Sequence, residues 1–74
     1  MKTMRIRLNT IDKVKQFVNV ITKSGLDGDL VQGRYIVDAR SIMGIFALNL
    51  SDNITLNIAS SNDSDCEQFA EFAA

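Results

Sequence analysis

Apolar and polar residues alternate with a period of two in several short stretches of the chain. Methionine, isoleucine and leucine occupy every second position of residues 3–8, with threonine and arginine between them. Residues 54–58 alternate in the same way, which is typical of strands with one buried face. A weaker strand at 26–31, a turn at 32–34 and a return strand at 35–38 read as a hairpin.

Other stretches carry apolar residues three or four positions apart, the spacing of an amphipathic helix. Residues 10–23 have five of them, with Asn9 or Thr10 as the N-cap and Gly25 as the C-cap. The apolar stripe consists of Ile11, Val14, Phe17, Val18 and Ile21.

Two further helices are predicted in the second half of the chain. The first is short, covers 41–48 with Ser41 as N-cap, and directs Ile45 and Leu48 into the core. It contains Gly44, and a glycine inside a helix usually marks close packing of the backbone. After a cap-rich linker at 60–65, a last amphipathic helix covers 63–73. Its buried stripe is predicted as Cys66, Phe69, Ala70 and Ala73.

The element order is therefore β-α-β-β-α-β-α, spread over one domain that covers residues 1–74. Strands with one solvent-exposed face, together with amphipathic helices, predict an α+β open-faced β-sandwich. In this fold class an antiparallel sheet carries helices on one face only. At this length nearly every large apolar side chain must contribute to the core.

Composition narrows the function. The net charge is −1, so no basic face for nucleic acid is expected. The chain has no histidine and one cysteine, so we expect no histidine-based catalysis and no metal site. We also expect no cofactor, and we expect that the protein is not an enzyme. No secretory leader or membrane span is predicted, and the single cysteine fits a reducing compartment, so we expect a cytoplasmic protein.

One segment carries a family-level signature. Residues 39–44 read Ala-Arg-Ser-Ile-Met-Gly and resemble the Ala-Lys-Ser-Ile-Met-Gly motif of HPr, the histidine-containing phosphocarrier of the bacterial sugar phosphotransferase system. Phe17-Val18 and residues 52–58 resemble the Phe-Val pair and the last strand of the same family. The resemblance implies a four-stranded antiparallel sheet in the order 1-4-2-3, protein partners and a bacterial source. We expect a monomer.

The phosphoacceptor motif of that family is missing from the chain. In the family a histidine accepts phosphate from a protein called enzyme I, and an arginine steadies it. By the resemblance, Thr10 stands at the position of the histidine, Asp12 at that of the arginine, and Lys13 at that of a proline. Asp12 would repel an incoming phosphoryl group that the family attracts. A threonine phosphoester is also far more stable than phosphohistidine. We therefore expect no phosphate relay through this region, and the simpler interpretation of Thr10 and Asp12 is an ordinary helix cap with an acidic first turn.

The resemblance leaves Ser41 and its helix as the candidate site. In part of the family the equivalent serine is phosphorylated by a dedicated kinase, and the product binds a catabolite regulator. The resemblance therefore implies phosphotransferase-system or catabolite-regulation proteins as partners. Arg40 could pair with the phosphate; the alternative is that Ser41 is only a helix cap. Arg40, Ile42, Met43 and Phe46 are the candidate residues for partner docking. The alternative is that some of the three apolar residues fill the small core. The predicted function is an HPr-like regulatory or partner-binding protein that acts through this helix. The alternative is a structural or interaction module on an HPr fold with no phosphotransferase-system role.

Overall fold

The computed structural model of the protein describes residues 1–60 and 62–74. Ser61, in the predicted linker, lies outside the described residues. The elements in chain order are β1 (Lys2–Ile6), α1 (Ile11–Ser24), β2 (Gly28–Gln32), β3 (Tyr35–Asp38), α2 (Ile42–Phe46), β4 (Ile54–Ile58), α3 (Asp63–Glu67) and a 3-10 turn (Ala70–Phe72).

The four strands form one antiparallel sheet in the order β1-β4-β2-β3. The expected α+β class and the strand order 1-4-2-3 are confirmed. Leu56 of β4 pairs with Met4 on one side and with Leu30 on the other, and Leu30 pairs with Val37 of β3. Because Leu30 and Leu56 are fully buried, this row faces the helices, and the neighbouring rows face the open side of the sheet.

The hairpin between β2 and β3 is confirmed, with Gln32 paired to Tyr35 across a two-residue loop. Gly33, the first loop residue, has φ 61°. A two-residue hairpin loop with a positive φ at its first position needs glycine there, because that conformation is strained for other residues.

The core lies between the helices and the sheet and contains most of the apolar residues predicted for it. Val14, Phe17 and Ile21 of α1 are fully buried, but Ile11, in the first turn, is exposed rather than part of the stripe. The Phe17 ring packs against Phe69 and Phe72, with 5.5 Å between ring centroids in both pairs.

The predicted last helix at 63–73 is wrong in its second half. The helix ends at Glu67, and Phe69 and Phe72 enter the core while Ala70 and Ala73 are exposed. Cys66, expected in the core, is half-buried against it. The chain end pairs with β1 instead of continuing a helix. The Arg7 N–H donates to the Phe72 carbonyl (2.8 Å), and the Ala74 N–H donates to the Arg5 carbonyl (3.0 Å).

Candidate functional site

Helix α2 is preceded by Ser41, the residue that the sequence predicts as its N-cap. Ser41 has extended backbone angles, and its Oγ accepts the N–H of Gly44 at 3.2 Å. Its own N–H donates to the Asp38 carbonyl at 3.0 Å, which ties the helix start to the end of β3. Ile45 and Leu48 are buried as predicted. The N-cap role of Ser41 is therefore present in the structure.

Gly44 explains how closely α2 approaches the sheet. A β-carbon added at Gly44 would lie 3.2 Å from Val37 Cβ and 3.2 Å from Ser41 Oγ, tighter than ordinary van der Waals contact. Val37 belongs to the row of β3 that faces the helices. The interpretation of this glycine as a mark of close backbone packing is confirmed.

The three apolar residues predicted as a docking surface differ in exposure. Met43 is 79% exposed and Phe46 is 42% exposed, whereas Ile42 is half-buried and packs against the core. We call Met43 and Phe46 the α2 surface. A short helix with one side in the core thus presents a methionine and a phenylalanine to solvent.

The start of α1 is an ordinary capped helix end in the structure. Thr10 has extended backbone angles, and its side chain accepts the Lys13 N–H at 3.1 Å. Asp12 lies in the first turn, where a carboxylate offsets the partial positive charge of the helix end. The Thr10 hydroxyl is therefore engaged in the helix cap. Helix α1 contacts α2.

Arg40, which the sequence placed beside Ser41 as a partner for phosphate, already binds two carboxylates. Its Nη2 lies 3.0 Å from Asp27 Oδ1, and its Nε lies 3.7 Å from Asp38 Oδ1. Its backbone N–H also donates to Asp38 Oδ1 at 2.9 Å. These groups line a shallow pocket of about 270 Å³ that also includes Asp29 and Asn57.

Sequence reasoning missed this acidic partner set of Arg40, although a signal for it was present. Asp29 pairs with Asp38 in the hairpin, so continuing the same register by two residues places Asp27 opposite Arg40. Once the hairpin register is known, the ion pair follows from the sequence. The pocket is separate from Met43 and Phe46.

A second ion pair, away from α2, shifts the pKa of both of its side chains. Lys2 Nζ of β1 lies 2.6 Å from Asp63 Oδ1, at the start of α3. The hydrogen bond and the opposite charge of Asp63 raise the pKa of Lys2, and those of Lys2 lower the pKa of Asp63. Asp63 is exposed and Lys2 is partly exposed, so water screens the pair.

Comparison with known proteins supports the fold. No family model matches the sequence, and no curated protein matches it. Among solved structures, a crystal structure of HPr-C-His from Thermoanaerobacter tengcongensis matches with a TM-score of 0.79 and 20% sequence identity. The match covers 96% of this chain and 89% of the other. No helix in the described part of this chain is long and apolar enough to cross a membrane. The chain has the fold of the HPr phosphocarrier, as the resemblance at residues 39–44 implied.

Proposed function

We propose that this chain is a relative of HPr that binds a protein partner through the α2 surface and relays no phosphate through a histidine. The observation that carries the proposal is the exposure of Met43 and Phe46 on a helix whose other side is fixed in the core. Large exposed apolar side chains cost free energy in water, and two of them three positions apart on one helix support an interaction site on this side of α2. Methionine adapts its shape to different partners.

The geometry of α2 supports this role because it holds the surface in place. The Ser41 cap fixes the start of the helix, Ile45 anchors its middle and the close approach at Gly44 sets it against β3. A preorganised surface loses little conformational entropy when a partner binds.

The absence of a relay is supported by the start of α1. The chain has no histidine, and the hydroxyl of Thr10 serves as the helix cap. Asp12 adds a negative charge in the same turn. Incubation with phosphoenolpyruvate and purified enzyme I should leave the mass of the chain unchanged, and stoichiometric gain of one phosphoryl group would refute this part of the proposal.

The regulatory part of the proposal is phosphorylation of Ser41. A phosphate there would meet the Gly44 N–H that the Ser41 Oγ now accepts, and Arg40 is the adjacent cation. Arg40 would have to exchange its carboxylate partners for the phosphate. Mass spectrometry after incubation with the family's serine kinase and ATP tests this, with Ser41→Ala as the control. Unmodified wild-type protein would show that Ser41 is a cap only.

Partner binding is tested with purified proteins rather than with a lysate. The chain is titrated with enzyme I and, separately, with the catabolite regulator, and binding is followed through its backbone amide resonances. We expect shifts centred on α2, and a loss of at least about tenfold in affinity for Met43→Lys combined with Phe46→Lys. Ile36→Lys is the matched control, because Ile36 is also apolar and exposed but lies on the open side of the sheet.

The alternative is an interaction module with no phosphotransferase-system role. Asp12 favours it, since an anion replaces the cation that the phosphorelay of the family uses. In that case neither purified protein binds. Equal loss of binding in the Ile36→Lys control would instead show that the α2 surface is not the docking site.

A further inference from the structure

The two edge strands of the sheet, β1 and β3, differ in whether another segment of the chain covers their outer side. The outer edge of β1 is covered by the C-terminal residues, through the bonds from Arg7 to Phe72 and from Ala74 to Arg5 and through a bridge between Ile6 and Ala73. Within the described residues, β3 pairs with β2 only. An uncovered edge strand offers a row of backbone groups to another strand.

The register of the hairpin determines which groups of β3 point outward. A two-residue loop makes Gln32 and Tyr35 a hydrogen-bonded pair, and hydrogen-bonded pairs then alternate along the ladder. The bond from the Ala39 N–H to the Gly28 carbonyl (3.0 Å) fits this alternation. The N–H and C=O of Ile36 and the N–H of Asp38 therefore face the free edge.

The side chains of this edge are unusually apolar for a surface strand. Ile36 is 69% exposed and Tyr35 is 64% exposed. The close contact at Gly44 sets α2 against Val37, on the helix side of β3, so the Ile36 side of the strand is uncovered. Native edges are usually protected by charge, proline or a covering segment, and here the centre of the strand has none of these.

The charges that flank Ile36 are self-complementary. Arg34 precedes it by two residues and Asp38 follows it by two, so the outer positions read positive, apolar, negative. A second copy in the antiparallel direction reads negative, apolar, positive opposite the same positions. Arg34 forms no ion pair within the described part of the chain. The chemistry of the edge thus selects another β3 rather than an arbitrary peptide.

We propose that β3 of two copies of this chain pair antiparallel about a two-fold axis at Ile36, joining the two sheets. Ile36 faces Ile36 of the second copy, and each exchanges its outward N–H and C=O with the other. Arg34 of each copy faces Asp38 of the other on the open side of the sheet, and Tyr35 faces Val37 on the helix side. Asp38 is half exposed and its closest cation, Arg40, lies nearer to Asp27, so a carboxylate oxygen remains for the new pair.

The first experiment is sedimentation velocity of the full chain up to about 1 mM, a range that detects weak association. We expect the wild type to form a dimer as concentration rises. Arg34→Glu and Asp38→Lys should each weaken it about tenfold, because like charges then lie opposite at both ends of the pair. An equimolar mixture of the two variants should restore association. In the mixed dimer the introduced glutamate lies opposite the introduced lysine at one end, and the unchanged Asp38 lies opposite the unchanged Arg34 at the other.

A backbone variant tests the hydrogen bonds themselves. Ile36→Pro removes an N–H that makes no bond within the monomer, so the fold should persist by circular dichroism while the dimer is lost. For Arg34→Glu the matched control is Arg5→Glu. It makes the same charge change on the open side of β1 and should leave association unchanged. A monomer at all concentrations, as the sequence led us to expect, overturns the proposal. So does a dimer that survives Ile36→Pro, or a variant mixture that fails to associate.

Discussion

Substitution of Phe72 tests whether the C-terminal residues are part of the packed core. The ring is 1% exposed and meets Phe17 edge-on, with an interplanar angle of 83°. Its carbonyl accepts the Arg7 N–H at 2.8 Å, so the same residue fills the core and covers the edge of β1. Phe72→Ala removes the ring and leaves the backbone bond able to form.

The expected cost follows from burial. Replacing a buried phenylalanine by alanine costs about 3–5 kcal/mol, of which about 0.5–1.5 kcal/mol belongs to the aromatic pair. Because the Phe72 ring is almost completely buried, we expect a cost within this range, about 3–5 kcal/mol. At about 0.05–0.15 kcal/mol per residue, 74 residues give a total stability of about 4–11 kcal/mol. The variant should therefore lose a large part of its stability.

The assay is urea unfolding followed by circular dichroism, with stabilities compared at equal slope. Phe46→Ala is the matched control, because Phe46 is 42% exposed and its loss should cost under about 1 kcal/mol. Phe72→Leu should fall between the two, since it keeps an apolar side chain but loses the ring contact. A Phe72→Ala cost no larger than that of Phe46→Ala would refute the packing of the chain end.

Substitutions at three further positions test local features. Ser41→Ala should cost about 1 kcal/mol of unfolding free energy and Ser41→Asn almost nothing, because asparagine also caps helices; equal costs by urea unfolding would contradict the cap. Gly33→Ala should cost about 1 kcal/mol in the same assay, because alanine is strained at φ 61°, and an unchanged midpoint would argue against the turn. Asp63→Asn should remove a contribution that is present above the ordinary carboxyl pKa of 3.8 and that the wild type loses as the pH falls through the lowered pKa of Asp63. Because the raised pKa of Lys2 keeps it charged beyond 10.5, wild type and variant should differ across the neutral range and converge in acid; a difference that persists in acid would contradict the pair.

The hairpin shows both the strength and the limit of reading strands from propensity. Asp27, Gly28 and Asp29 are poor strand formers, and propensity alone favours a loop there. In the structure β2 begins at Gly28. A β-carbon at that position would lie 3.0 Å from the Asn57 carbonyl oxygen and 3.3 Å from Ile21, so the close packing there requires glycine. The residue that weakens the local signal is the one that lets α1 and β4 approach.

The last helix was mispredicted because periodicity treats small and large apolar residues alike. Ala70 and Ala73 complete a helical stripe in sequence, yet each buries little surface. Phe69 and Phe72 bury far more, and a 3-10 turn places both against Phe17. Pairing of the following backbone with β1 adds hydrogen bonds that a continued helix would forgo.

The motif is enough to predict where the candidate site lies, but it does not predict which charged groups pair with Arg40. Ser41 as a cap and Gly44 as a close-packing residue both follow from local sequence, because each depends on neighbours within one turn or on the adjacent strand. The partners of Arg40 depend on the register across β2 and β3, which a single sequence fixes only through the length of the loop. Pairing Arg40 with a phosphate at Ser41 was inferred from adjacency, and adjacency does not decide the geometry.

The two apolar surfaces of the molecule can be tested independently because they lie on different sides of the sheet. Met43 and Phe46 belong to a helix packed on the helix side, whereas Ile36 belongs to a row that faces the open side. Lysine at Met43 and Phe46 should weaken partner binding by at least about tenfold and leave self-association intact, while Ile36→Pro should abolish self-association and leave partner binding intact. If either change affected both properties, one surface would serve both roles, and the separation inferred from the sheet register would be wrong.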